Sequence, residues 1–161
     1  MPCHSAKLEN VLVIEPEVSV EKVLTSMKKK KAQIAVVIDE SGKLLGYLSM
    51  KILLKNLLPV SLSLQSAGHS ADVVVGAAPG IAKRLRKVKP IEVHNVMERK
   101  FYSVSPNTPT WEGVQMLVEY GSPLFILEEG TQNFVGVMNE ESAISELERI
   151  QKETGGAETH G

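Results

Sequence analysis

Residues 34–58 read IAVVIDESGKLLGYLSMKILLKNLL, and residues 123–147 read PLFILEEGTQNFVGVMNEESAISEL. Each begins with a continuous apolar run of strand length, as expected for a strand covered on both faces. In the first stretch Ile34 to Ile38 runs into the turn Asp39-Glu40-Ser41-Gly42, whose glycine supplies a positive φ, and Leu44 to Leu48 returns as the partner strand. Ser49 then caps a helix whose stripe of Ile52, Leu53, Leu57 and Leu58 stops at Pro59. In the second stretch Pro123 to Leu127, the turn Glu128 to Asn133 and Phe134 to Met138 form the hairpin. Asn139 caps a helix carrying Ala143, Ile144, Leu147 and Ile150 at helical spacing.

Upstream of each hairpin lies another strand and helix. Val11 to Ile14 is a short β-branched run ended by Glu15-Pro16, and Ser19 caps a helix that buries Val20, Val23, Leu24 and Met27 and runs to Lys30. Lys28 to Lys31 fall in its last turn, where each positive charge gains about 0.3–1 kcal/mol from the helix dipole. The second copy repeats this order with Tyr102 to Ser105, Pro106, and a helix bearing Val114, Leu117 and Val118. Pro106 lies 90 residues after Pro16, and Gly136 lies 90 after Gly46. Between them Ala35 is matched to Pro123, an offset of 88 that makes the second copy two residues shorter after its first helix and two longer in its hairpin turn. An internal repeat of this kind decides the fold.

The expected fold class is therefore α/β of the α+β kind, two βαββα repeats. Residues 1–58 form the first repeat and 93–150 the second. Residues 59–92 read as an insertion: a Ser-, Gly- and Ala-rich loop to about Gly80, then a short basic helix over Ile81 to Val88. Residues 151–161 have almost no apolar content and are expected to be disordered.

With 161 residues, 43% hydrophobic and 23% charged, the chain is long enough to bury a real core, and its formal charge of −1 exerts no global pull toward nucleic acid or anionic lipid. Lys83, Arg84, Arg86, Lys87 and Lys89, with Arg99 and Lys100, read as solvated helix and loop positions rather than a nucleic-acid site. No apolar run is long enough to span a membrane. The sole cysteine, Cys3, has no internal disulfide partner, and MPCHSAKLEN lacks a signal's apolar stretch, which fits a reducing cytoplasm. No zinc-ligand spacing, P-loop glycine pattern or nucleophile-base arrangement is visible, so no catalysis is expected. His94 reads as a surface or capping residue. With Met1 removed, Pro2-Cys3-His4 would put a histidine third from the amine, a weak copper or nickel site, and Trp111 reads as a packing residue with an exposed edge.

The patterns PEVSVEKVLTSM…AVVIDESGKLLGYLSMKILL and VHNVMERKFYSVSPNTPTWEGVQMLVEY…PLFILEEGTQNFVGVMNEESAI resemble two CBS motifs in tandem, and VHNVMERK resembles the lead-in that opens such a repeat. The resemblance covers most of residues 8–150. It implies a pseudo-twofold pair (a Bateman module) with its small sheets packed together and clefts between the repeats. Such modules bind AMP, ADP, ATP or S-adenosylmethionine there, form homodimers through their helices, and regulate a protein partner.

By the same resemblance Gly46, Ser49 and Lys51 of the first copy, Gly136 and Asn139 of the second, and Ala35 and Pro123 at the strand starts are the candidate ligand-binding residues. The family's glycine is followed by a hydroxyl residue and then by a ribose-binding Asp. Here Ile52 and Ser142 stand in the Asp positions. Because a hydrogen bond to a charged partner contributes about 1.5–3 kcal/mol, their loss weakens the nucleotide assignment. Glu140 and Glu141 oppose phosphate in the second copy, so the first is the better candidate. A ligand-independent interaction scaffold is the competing reading.

Overall fold

The structure is a computed structural model that describes the backbone of residues 2–58 and 71–160 and the side chains of residues 2–58 and 80–154. The first repeat consists of β1 (Val11–Ile14), α1 (Val20–Lys30), β2 (Ile34–Ile38), β3 (Leu44–Ser49) and α2 (Met50–Leu57). Helix α3 (Ala71–Val88) follows. The second repeat consists of β4 (Tyr102–Val104), α4 (Thr110–Tyr120), β5 (Leu124–Leu127), β6 (Phe134–Met138) and α5 (Glu140–His160). Two 3-10 turns, Cys3–Ala6 and Val93–Asn95, precede the repeats. Two three-stranded sheets result, ordered β1-β2-β3 and β4-β5-β6. Both repeats thus have the expected βαββα order.

In each sheet the first two strands are parallel, joined by a crossover helix, and β6 runs antiparallel to β5. Helix α1 starts where the Ser19 hydroxyl accepts the Lys22 amide hydrogen bond at 3.3 Å, and buries Val20, Val23, Leu24 and Met27 as its spacing predicts. The hairpin turn after β2 places Gly42 at φ +94°, the conformation expected of its glycine.

The strand pairing corrects the internal alignment of the repeats. Leu12 faces Ala35, and its equivalent Tyr102, 90 residues on, faces Leu124. Leu124, not Pro123, is therefore the counterpart of Ala35; the offset is 89, with one residue lost after the helix and one gained in the turn. The core confirms this. Ala35, Val37 and Leu48 lie in one buried cluster and Leu124, Ile126 and Met138 in the other. A one-residue slip would turn every side chain of the strand to its opposite face.

The chain forms two compact units whose boundaries are not those of the repeats. One comprises Asn10–Asp39 and Leu45–Arg99; the other comprises Met1–Glu9, Glu40–Leu44 and Lys100–Gly161. The reason is that each lead-in packs on the other repeat. In the first-repeat unit, Tyr47 and Glu98 exchange both backbone hydrogen bonds (3.0 and 2.8 Å), and the Val93 and His94 amides donate to the Val18 and Pro16 carbonyls. In the second-repeat unit the Leu8 amide donates to Val137, and those of Cys3 and His4 donate to Thr108 and Pro106. Every one of these partners is displaced by 90 residues from its counterpart.

Gly46 and Gly136 make this exchange possible. A methyl built on Gly46 would lie 2.5 Å from the Glu98 carbonyl oxygen and 2.9 Å from Met97 Sδ; on Gly136 it would lie 2.5 Å from Lys7 Cδ. Gly113 likewise leaves room for Cys3, whose Sγ would be 2.8 Å from an added methyl.

Two expectations outside the repeats are corrected. The basic helix does not begin at Ile81: α3 starts at Ala71, ten residues earlier, while the 59–70 part of the expected loop lies outside the described residues. Pro79 and two glycines gave the segment a loop-like composition, but Ile81, Leu85 and Val88 pack on the first-repeat core and anchor the helix from its C-terminal half. Nor does the last helix stop at Ile150, since α5 continues to His160 through the stretch expected to be disordered. Lys152 and Glu153 are good helix formers, and Arg149 bridges Glu146 and Glu153 at i,i+3 and i,i+4 spacing.

Gly46→Ala should destabilise the protein by about 1–3 kcal/mol, because the obstacle includes backbone, whereas Gly136→Ala, which meets the flexible end of a lysine, should cost less than half as much. Urea unfolding of the two variants beside the parent measures both. Burial pushes the Cys3 thiol above its ordinary pKa, the largest influence on it. The unfolded chain therefore loses that proton before the folded one, and stability should be complete below about pH 8.5 and fall as pH rises. Cys3→Ala should flatten this alkaline slope in thermal unfolding measured across that range.

Candidate functional site

The first candidate locus is the start of α2. As β3 ends, Ser49 stays extended (φ −130°, ψ 169°) and its Oγ accepts the Ile52 amide hydrogen bond at 3.3 Å. The first turn of α2 contains no acidic residue, although acids are favoured there; instead it carries Lys51, exposed, where a cation opposes the helix dipole. Ile52, in the position of the family's carboxylate, is half-buried against the first-repeat core. The helix is tied to the lead-in by Asn56, whose Nδ2 donates to the carbonyls of Ile52 (2.9 Å) and Val96 (3.0 Å). Gly46 is buried beneath that lead-in, and Ala35 has no exposed surface, being packed wholly within the core.

The second locus, the start of α5, has the same backbone plan and a different outcome. Asn139 Oδ1 accepts from the Ser142 amide at 2.8 Å, while Ser142 Oγ accepts from the Asn139 amide at 2.9 Å and donates to the Asn139 carbonyl at 3.1 Å. This reciprocal capping box engages the hydroxyl as both donor and acceptor, and only 7% of Ser142 is exposed. Glu140 and Glu141 stand exposed in the first turn, where the dipole favours them. Gly136 is covered by Lys7, and Pro123 is half-exposed just before β5. The seven candidates thus fall into two groups: Ala35, Gly46, Ser49 and Lys51 in the first-repeat unit, and Pro123, Gly136 and Asn139 in the second-repeat unit.

The remaining positions find other roles. Lys83, Arg84, Arg86 and Lys87 are exposed on α3, with Arg84 Nε donating to the Asn56 carbonyl at 2.9 Å. His94 lies 3.3 Å from Glu92 Oε2, and its carbonyl accepts from Arg99. The N-terminal copper or nickel site is excluded by geometry, because the Cys3 amide that would bind the metal donates to Thr108 instead. Among the described residues no group of three or more His, Cys, Asp or Glu could hold a metal ion, and no helix is long and apolar enough to cross a membrane. Trp111 is two-thirds exposed, which corrects its reading as mainly a packing residue. The pairing of buried Tyr47 with half-buried Glu98 went unread in the sequence, since only the exchange of lead-ins brings them together. Burial and the Glu98 charge push the Tyr47 phenol above its ordinary pKa.

Comparison with known proteins agrees with this architecture. Residues 7–59 match the family described as CBS domain. A curated relative, the A-adding tRNA nucleotidyltransferase of Aquifex aeolicus, is 32% identical over 127 residues; these are 78% of this chain but 12% of that protein. Among solved structures, the CBS-pair protein CBSX2 from Arabidopsis thaliana superposes with a TM-score of 0.70 at 18% identity, covering 94% of this chain and 96% of that one. A structure of CBSX2 in complex with AMP gives 0.66 at 17% identity, over 93% and 98% of the two chains. A CBS domain-containing protein of Bacillus anthracis gives 0.68 at 14% identity, over 92% and 94%. With residues 7–59 matching the domain, the chain is a CBS-domain protein, and its two βαββα units have the fold of these CBS-pair structures.

Proposed function

We propose that this chain is a regulatory sensor module: it binds an adenosine-containing ligand of the AMP, ADP, ATP or S-adenosylmethionine type, with its anionic end at the start of α2, and signals occupancy to a protein partner. The observation that carries this reading is the contrast between the two helix starts. At α2 a serine-capped N-terminus carries Lys51 and no acid, whereas at α5 the equivalent groups are closed into a capping box behind two glutamates. A helix N-terminus with a neighbouring cation suits a phosphate or carboxylate. The AMP complex of CBSX2, a protein of the same fold, supports the choice of ligand class.

The role is regulatory rather than catalytic, in a reducing cytoplasm that keeps the buried Cys3 thiol unpaired. The relative named for tRNA nucleotidyltransfer shares with this chain a segment that is a small part of its length, which supports a module able to serve a larger enzyme. A second reading, a scaffold that pairs with partners without any ligand, draws on Ile52 and Ser142: one is turned to the core and the other is fully engaged, so neither supplies the ribose contact.

Isothermal titration with AMP, ADP, ATP and S-adenosylmethionine should give saturable binding to at least one of them. Lys51→Ala, at an exposed side chain, should weaken it about tenfold without altering the unfolding midpoint, and Ser49→Ala should weaken it while also costing about 1 kcal/mol of stability through the lost cap. Absence of heat and of any thermal shift at millimolar ligand would leave the scaffold reading in its place.

A further inference from the structure

The net charge of −1 is the near-cancellation of two large and opposite charges. By sequence, the first-repeat unit has thirteen lysines and arginines against seven acidic residues, a net of +6, and the second-repeat unit has five against twelve, a net of −7. Within the first-repeat unit the two signs separate again. Glu15 and Glu17 lead into α1, Glu21 lies in its first turn, and Glu92 is bridged to Ser19 at the same place. Helix α3 is the opposite case: from Val73 to Ile91 the chain has no acid and carries Lys83, Arg84, Arg86, Lys87 and Lys89. Lys89 is half-buried beside the acidic group, its carbonyl accepting from the Glu21 amide at 2.9 Å.

The other four cations share one face. Ile81, Leu85 and Val88 turn to the first-repeat core, while Lys83, Arg84, Arg86 and Lys87 are exposed. That face is held in place, because α3 packs on α2 and Arg84 Nε donates to the Asn56 carbonyl at 2.9 Å. Among the described residues none of the four forms an ion pair. Lys83 repels Arg86 and Lys87 at i,i+3 and i,i+4 spacing, an unfavourable arrangement on a helix. The helix dipole favours Arg86 and Lys87, in the last turn, and fades before Lys83. An external polyanion along this face relieves the repulsion.

Three kinds of polyanion differ in what they require. A helix that lies on a membrane needs its apolar face free, and that of α3 is turned to the core. A protein interface has an apolar centre, yet Ala82 is the only exposed apolar residue from Ile81 to Val88. Nucleic acid is bound through its phosphates by cations alone.

We propose that the outward face of α3 binds the phosphate backbone of a nucleic acid through Lys83, Arg84, Arg86 and Lys87. Taken one by one in the sequence these are solvated helix positions; on a fixed face of a unit of charge +6 they form a site. Phosphate contacts carry no base sequence, so RNA and DNA share this chemistry. Ser49 and Lys51 take no part in it, and the proposal does not rest on the adenosine-ligand reading.

Fluorescence anisotropy of the whole chain with a short labelled RNA duplex, and with a DNA duplex of equal length, tests this. The association constant should fall with salt, with a log–log slope of about −3 to −4. Lys83→Ala/Lys87→Ala, at exposed positions where alanine suits a helix, should weaken binding about tenfold or more and flatten the slope by about 2. Lys28→Ala/Lys29→Ala removes the same charge from the far end of α1 and should stay within about twofold of the parent near 0.15 M salt, where distant charges are screened. Titrations with AMP, ADP, ATP and S-adenosylmethionine should be the same for Lys83→Ala/Lys87→Ala as for the parent, so that either reading can fail alone. Binding of RNA or DNA in this pattern supports the proposal, and the tighter of the two identifies the source. No association at low salt, association indifferent to salt, or equal losses in the two double variants would each overturn it. So would polyglutamate or phosphatidylserine vesicles that bind the parent as tightly as either duplex.

Discussion

The structure depends on a close approach of backbones at Gly46 and its equivalent Gly136. At each, a lead-in segment lies where a side chain would otherwise stand, and at the first it is locked there by the paired hydrogen bonds of Tyr47 with Glu98. A unit of about 60 residues buries only about 60% of its unfolded surface and is marginal alone. Taking its lead-in from the other repeat adds buried residues to each: Val93, Val96 and Met97 to one cluster, Cys3 and Ala6 to the other. The exchange explains why the compact units cut across the repeats. It also explains why the two glycines that the family pattern associates with ligand binding have a structural duty in this chain.

From this shared frame the two copies have moved apart. Symmetric backbone at the two helix starts, Ser49 with Ile52 and Asn139 with Ser142, supports different chemistry because the third residue into each helix decides where the polar groups turn. Isoleucine turns to the core and leaves the Ser49 hydroxyl with a single internal amide as its donor. Serine turns back on the cap, its hydroxyl accepting from the Asn139 amide and donating to the Asn139 carbonyl while Asn139 Oδ1 accepts from the Ser142 amide. The surrounding charge follows the same division, lysine beside the first and glutamates beside the second, so that the field at each helix start reinforces the local difference.

That division extends over whole units. The near-zero total conceals it. Only after the chain is divided by contact rather than by sequence order do the +6 and −7 appear, since Lys7 and Glu9 belong with the second repeat and Arg99 with the first.

The sequence by itself determined the element order, the repeat and most helix faces, because periodicity, caps and turn glycines act over a few residues: Val20 to Met27 and Ser19 are local facts. It also showed that both carboxylates of the family's site are absent. It misjudged the places where long-range packing outweighs local composition. Among these are the one-residue register of Ala35 with Leu124, the helix beginning at Ala71 despite Pro79, and the helix running on to His160. Tertiary structure alone decided which repeat each lead-in serves, that Ala35 is sealed in the core, and that Ser142 is engaged while Lys51 is exposed. These depend on backbone segments about 50 to 130 residues apart in sequence meeting within hydrogen-bond distance, a constraint that no short window of sequence contains.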